Sequence, residues 1–343
     1  MVRLAPFILR LLAAVGILQL AYSAQAQIVR PSTSVYHLLR GESPHWLEGP
    51  YDSGPPSVLY GEDELILYNQ YHLRYFPHLK RRTAQEHSDT ISGIAQLRTG
   101  VDRALLFATN NYTDATLSDL INPIEDAESI GSELRERYGF EVEIVRNPRE
   151  EDIYSTIDRY RRMTMSADDQ IFIFFAGHGT YYGNRDVGQG YIIPSDGTSN
   201  RRSSWISHAN LAQEVDALSA GRILLVLDVC YGGSFVERSR ATLDPYGSAS
   251  PVDIYRNYGR YRARLALTSG AMEYVSDGIP GRHSPFTHHI LEALRSGGGE
   301  DGLLTFQDLV ASAERTIDAT PLYGGFGRNE PGSKFFLIRQ SGR

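Results

Sequence analysis

The sequence predicts an α/β fold, a mostly parallel six-stranded sheet with helices on both faces. Two observations predict it. Five short apolar runs of the kind that make fully buried strands recur between residues 102 and 268, and amphipathic segments of helical period separate most of them. Parallel neighbours need long crossovers, so this alternation gives a sheet that its own helices cover on both sides.

The strands are Ala104–Ala108, Phe140–Val145, Ile171–Ala176, Ile223–Leu227 and Leu265–Thr268. The helices are Pro123–Tyr138, Glu150–Met163, Ser207–Leu218, Ser284–Arg295 and Thr305–Ile317. Two of them carry explicit start signals: Ser284 stands ahead of Pro285, and Thr305 lies three residues before Asp308, the spacing of a reciprocal N-terminal cap. A sixth strand, Lys334–Ile338, follows a Gly-rich turn and is expected antiparallel at an edge. Residues 235–263 form a long connection rich in Gly, Ser, Pro and Tyr in which no helical or strand period is read. There is no internal repeat.

Three segments follow from this pattern: residues 1–26, 27–101 and 102–340. The first reads as a signal peptide. Arg3 supplies a positive start, Leu11–Ala21 is an apolar run broken by Gln19 and too short to span a bilayer, and Ala24-Gln25-Ala26 offers a small-x-small cleavage site. Its removal takes Arg3 and Arg10 with it and moves the net charge from −7 to −9. No cysteine follows the run to accept a lipid, so a periplasmic or secreted chain without a stable membrane anchor is expected. Residues 27–101 are a Pro- and Tyr-rich arm with a basic knot at Lys80-Arg81-Arg82.

Composition excludes several classes. A chain of 343 residues with 22% charged and 10% aromatic residues is globular. Its acidity argues against sequence-independent nucleic-acid binding, which needs a basic face to displace counterions. The only cysteine, Cys230, excludes an intramolecular disulfide framework and any multi-thiolate metal site.

The chemistry lies where two strands end. Ile171–Ala176 runs into Gly177-His178-Gly179, and Ile223–Leu227 runs into Asp228-Val229-Cys230-Tyr231-Gly232-Gly233. Open α/β sheets bind ligands beyond the carboxyl ends of their strands, so His178 and Cys230 are delivered to one rim. Taken singly, a Cys after a buried strand is a small core residue and a His beside Gly is a turn residue. Together they form a Cys–His dyad: the His precedes the Cys by 52 residues (230 minus 178), and glycines flank the His and follow the Cys. Those glycines let backbone approach a substrate and leave amides to face an oxyanion. Asp228 has two possible roles, orienting the His or lining a pocket for the residue before the scissile bond.

Phe174-Phe175-Ala176-Gly177-His178-Gly179, with Asp228-Val229-Cys230-Tyr231-Gly232-Gly233-Ser234, resembles the caspase-like cysteine peptidases, most of all the metacaspase and bacterial orthocaspase branch. Asn122–Ala127 is similar to an acidic loop before the first helix, and Leu267-Thr268-Ser269-Gly270 to the strand that walls the primary pocket. The resemblance implies a three-layer fold and a thiol endopeptidase in which Cys230 attacks the scissile carbonyl. His178 assists proton transfer, and the amides of Gly179 and Cys230 hold the oxyanion. It makes Asp228 a pocket residue, with Asp126 and Ser269, and it implies self-processing within 235–263, where Arg238, Arg240, Arg256, Arg260 and Arg262 occur without a single Lys.

Charge sets the expected substrate. No Lys or Arg falls between Arg103 and Arg135, where Asp114, Asp119, Glu125 and Asp126 occur, and none between Gly270 and Gly281, where Glu273 and Asp277 occur. Such a rim lacks the arginines that an aspartate-specific protease needs and favours protein or peptide substrates with Arg, then Lys, at the cleavage position. No cofactor is expected: a calcium site of the resembling branch would need a dense acidic run, and Thr180–Thr198 holds only Asp186 and Asp196. His283, His288 and His289 read as a helix start and its exposed face rather than a zinc site. The competing function class is a caspase-fold interaction protein whose dyad is idle or acts only with a partner.

Overall fold

The computed structural model describes residues 98–183, 188–230, 232–235, 251–270, 277–278, 281–297, 302–316 and 319–340. The signal peptide, nearly all of the arm and most of the first half of the 235–263 connection lie outside the described residues.

The elements are β1 (Asp102–Ala108), α1 (Pro123–Tyr138), β2 (Glu141–Arg146), α2 (Glu150–Arg161), β3 (Gln170–Gly177), β4 (Gly179–Tyr182), β5 (Gln189–Ile192), β6 (Ile206–Ser207), α3 (His208–Asp216) and β7 (Arg222–Val229). They continue with α4 (Pro251–Tyr258), β8 (Ala263–Thr268), α5 (Pro285–Ser296), β9 (Leu303–Thr305), α6 (Phe306–Ala313), β10 (Leu322–Gly325) and β11 (Phe336–Ile338). Six strands form the main sheet in the order β10-β8-β7-β3-β1-β2, parallel except for β10, which runs antiparallel to β8.

Alternation along each strand builds a separate core on each face. Ala104, Leu106, Phe172, Phe174, Leu224 and Val226 pack with Ile130 and Leu134 of α1, Phe286 and Ile290 of α5 and Leu309 of α6. Their neighbours Leu105, Phe107, Ile171, Ile173, Phe175, Ile223 and Leu225 pack on the other face with Ile153 and Ile157 of α2 and Leu211 and Val215 of α3. Each such fully buried aliphatic or aromatic side chain contributes about 1.5–3 kcal/mol, and the two central strands β3 and β7 supply side chains to both cores.

The structure corrects three expectations. The antiparallel edge strand of the main sheet is Leu322–Gly325; Phe336–Ile338 instead pairs with β9 in a two-stranded sheet of its own. Residues 251–258, read as part of a connection without period, are helical, with Tyr255 turned inward so that its hydroxyl donates to the Asp168 carboxylate at 2.7 Å. Asn122–Ala127 is not a loop before a helix: Pro123–Ala127 is the first turn of α1 itself.

Candidate active site

The register between β3 and β7 sets the site. Ala176 lies opposite Asp228 and Gly177 opposite Val229, so the next residue on each strand, His178 and Cys230, leaves the sheet at adjacent positions of its carboxyl edge. One pocket there is lined by both, together with Asp126, Asp228, Asp277 and Ser284.

His178 is fixed from the loop after β1. Its Nε2 lies 2.7 Å from the Ser118 carbonyl oxygen. A carbonyl only accepts, so Nε2 carries the proton in this contact and Nδ1 is the basic nitrogen of the neutral ring. The Tyr112 ring packs 4.7 Å from the imidazole, and its hydroxyl oxygen accepts the His178 amide at 2.7 Å. Gly177 permits this arrangement: its φ is 153°, and a Cβ there would lie 2.9 Å from the Tyr112 hydroxyl.

Cys230 is 8% exposed and lines the pocket. Its backbone packs directly against Gly179, where any Cβ would collide with the Cys230 carbonyl oxygen. The two residues read from sequence as amide donors are thus backbone neighbours.

The acidic side chains divide by burial. Asp228, 8% exposed, accepts the Ser284 hydroxyl at 2.5 Å and the Thr287 hydroxyl at 2.8 Å on one oxygen, and burial pushes its carboxyl up. Asp126, 1% exposed in the first turn of α1, lies 2.6 Å from His283 Nδ1 and accepts the Ser284 amide at 3.3 Å. Burial first, and then the neighbouring Asp228, push it up to about 9. Asp277 is less buried than either, and its carboxylate accepts the Ile121 amide at 2.8 Å. Ser269 is different: its side chain is fully buried, its hydroxyl is directed at the Val229 carbonyl and Asp228, and it does not line the pocket.

The remaining rim acids serve the scaffold. Asp114 holds the amides of Thr116 and Ser199, and Asp119 holds the Tyr112 amide. Asp196 accepts the Glu150 amide, while Asp186 and Glu273 lie outside the described residues. His288 and His289 face Glu292 on their own helix, and among the described residues no group of three or more His, Cys, Asp and Glu side chains is placed to hold a metal ion. Among the described residues, too, no helix is long and apolar enough to cross a membrane.

Sequence reasoning missed Tyr112, Ser118 and the link from Asp126 to His283. The first two sit in irregular chain that has no period to read. The third joins residues 157 positions apart, and its only sequence signal was the cap at Ser284, which places His283 just outside a helix start.

A family model described as the caspase domain, of peptidase family C14, matches residues 101–331. Among solved structures, this chain is similar to a protein from Geobacter sulfurreducens, at 17% identity over 70% of this chain and 97% of that one, with a TM-score of 0.48. It is also similar to caspase-1 from Spodoptera frugiperda, at 18% identity over 72% of this chain and 93% of that one, with a TM-score of 0.48. No curated protein matches it.

Proposed function

The chain belongs to the caspase-domain family of cysteine peptidases, and from that premise we propose that it is an exported cysteine endopeptidase that cleaves after Arg and, less well, after Lys, as in the metacaspase and orthocaspase branch. The observation that carries this reading is a single pocket in which a histidine and the chain's only thiol meet three carboxyl groups.

Cys230 Sγ attacks the scissile carbonyl carbon, and the carbonyl π electrons move to oxygen, where the amides of Gly179 and Cys230 receive the developing charge. His178, held by Ser118 through Nε2, accepts the thiol proton at Nδ1 and passes it to the leaving amine. Water, deprotonated by the same nitrogen, then hydrolyses the thioester and restores the thiol. Asp126 and Asp228 form the wall that selects a cationic side chain, since a guanidinium satisfies carboxylates through two parallel hydrogen bonds and an ammonium through one. Ser269 supports that wall from behind. No cofactor enters the scheme.

The test is turnover of matched peptides that carry Arg, Lys, citrulline or Asp before the scissile bond, with Cys230→Ala as control. Arg cleaved best and Asp hardly at all is the expected order. A wild-type protein that cuts none of them, although Cys230 still alkylates normally, would instead favour a caspase-fold interaction protein that needs a partner.

A further inference from the structure

Three carboxyl groups line the pocket, and all three accept hydrogen bonds from the protein, but two of them are buried and tied to the start of α5. Asp228 takes two hydroxyl donors from the start of α5, and Asp126 takes the Ser284 amide and lies against His283. Burial pushes both up, so pairing either of them with a cation costs more than pairing an exposed carboxylate does. Asp277 is the most exposed of the three.

The position of Asp277 is set from outside its own loop. Its carboxylate accepts the Ile121 amide, and its carbonyl oxygen accepts Asn122 Nδ2, both from the entrance of α1. The next residue, Gly278, has a φ of 84° and packs so tightly on the His283 carbonyl that a Cβ there would collide with it. Residues 277–278 are therefore clamped between the start of α1 and the residue ahead of α5.

On the reading of basic specificity given above, we propose that Asp277 is a further specificity-determining residue: it is the carboxylate that meets the cationic end of the substrate side chain as it enters the pocket. Asp126 and Asp228, deeper and tied to α5, complete the recognition once the side chain is seated.

Asp277→Asn tests this, because the amide oxygen still accepts from Ile121 while the charge is lost. The measurement is kcat/KM for paired peptides with Arg or citrulline before the scissile bond; citrulline has the shape of Arg without its charge. The expected result is a loss of ten- to a hundredfold on the Arg peptide, mostly in KM, with a much smaller change on the citrulline peptide and Asp277→Glu recovering part of the preference. An unchanged Arg-to-citrulline ratio in Asp277→Asn overturns the proposal, and so does an equal loss on both peptides, which is what a purely structural role predicts. A wild-type enzyme that cuts both peptides equally well removes basic specificity altogether, a failure that the wild-type measurement alone reveals.

Discussion

Gly179 and Cys230 touch backbone to backbone, and the contact leaves no room for a side chain on Gly179. The second residue after β3 and the nucleophile after β7 therefore hold each other in place. Gly179→Ala has to push the Cys230 carbonyl aside, and a displacement near 1 Å at a reacting group costs about a hundredfold in rate. The expected outcome is a loss of at least that order in kcat, with a lower thermal midpoint as well, because the atom that has to move is backbone. Full activity in Gly179→Ala would show that the contact does not position the thiol.

Cys230→Ala should abolish peptidase activity and leave the fold intact. The substitution removes one sulfur from the lining of the pocket, and the chain has no other thiol. Circular dichroism checks the fold, and residual turnover checks the mechanism. Comparable turnover by the Ala variant would end the covalent scheme.

Much of this site was legible before the fold. The runs that became β3 and β7 are apolar throughout because both faces are buried, so their ends, and with them His178 and Cys230, could be located from sequence. The caps at Ser284 and Thr305 appear in the structure as read, each hydroxyl accepting an amide three residues on. What escaped has physical causes. The β4, β5 and β6 strands have two to four residues each, too few for a period to emerge. Leu322–Gly325 ends in two glycines and reads as a turn, and it is a strand because β8 offers it an open edge. Ser269 follows a strand in sequence as a pocket wall should, yet the direction of its side chain depends on how β7 and β8 pack.

Asp228→Asn should weaken selection for Arg. The variant keeps an oxygen for Ser284 or Thr287 but loses the charge opposite the substrate guanidinium. Removing one partner of a buried ion pair costs on the order of 3–5 kcal/mol, so the Arg-to-citrulline ratio should fall by a hundredfold or more. If Asp228→Asn kept its preference for Arg but lost turnover on every peptide, the aspartate would orient the catalytic pair instead of reading the substrate.

Asp126→Asn should stabilise the protein, increasingly so as pH rises. Asp126 sits near its ordinary 3.8 when unfolded and at about 9 in the fold, so between these values the folded protein holds a proton that the unfolded chain has lost. Stability from this group is complete below about pH 4 and is lost as pH climbs toward 9. Asn keeps the neutral form at every pH. A gain in Tm at pH 8, and little or none at pH 4, is expected from thermal unfolding. An equal gain at both values would trace the effect to packing and not to the buried charge.

Self-cleavage is expected between the Cys230 turn and β8, and the structure narrows where. A protease takes its substrate as extended chain, with main-chain groups available for pairing. Arg256 lies inside α4 and pairs with Asp253 at 3.1 Å, and the Arg262 amide is fixed to the Glu330 carboxylate at 2.6 Å just ahead of β8. Cutting at either position would first require unwinding a helix or detaching a strand, and Arg260 sits in the tight turn that closes α4, where the Gly259 and Tyr261 amides are bonded back to the Tyr255 and Tyr258 carbonyls. Arg238 and Arg240 lie outside the described residues, between the 3₁₀ turn that ends at Phe235 and the start of α4, and they stand in sequence nearest the nucleophile. Cleavage after one of them would leave β7 and β8 paired through the register from Arg222–Ala263 to Leu227–Thr268, with Tyr255 still bonded to Asp168, so the two pieces should stay together. Intact-mass analysis of the active protein should therefore give two fragments under denaturing conditions and one species under native ones. Arg238→Gln with Arg240→Gln should remain whole. Finding the active protein uncut, or finding Cys230→Ala cut at the same bond, would remove self-processing from the mechanism and leave an enzyme that works as a single chain.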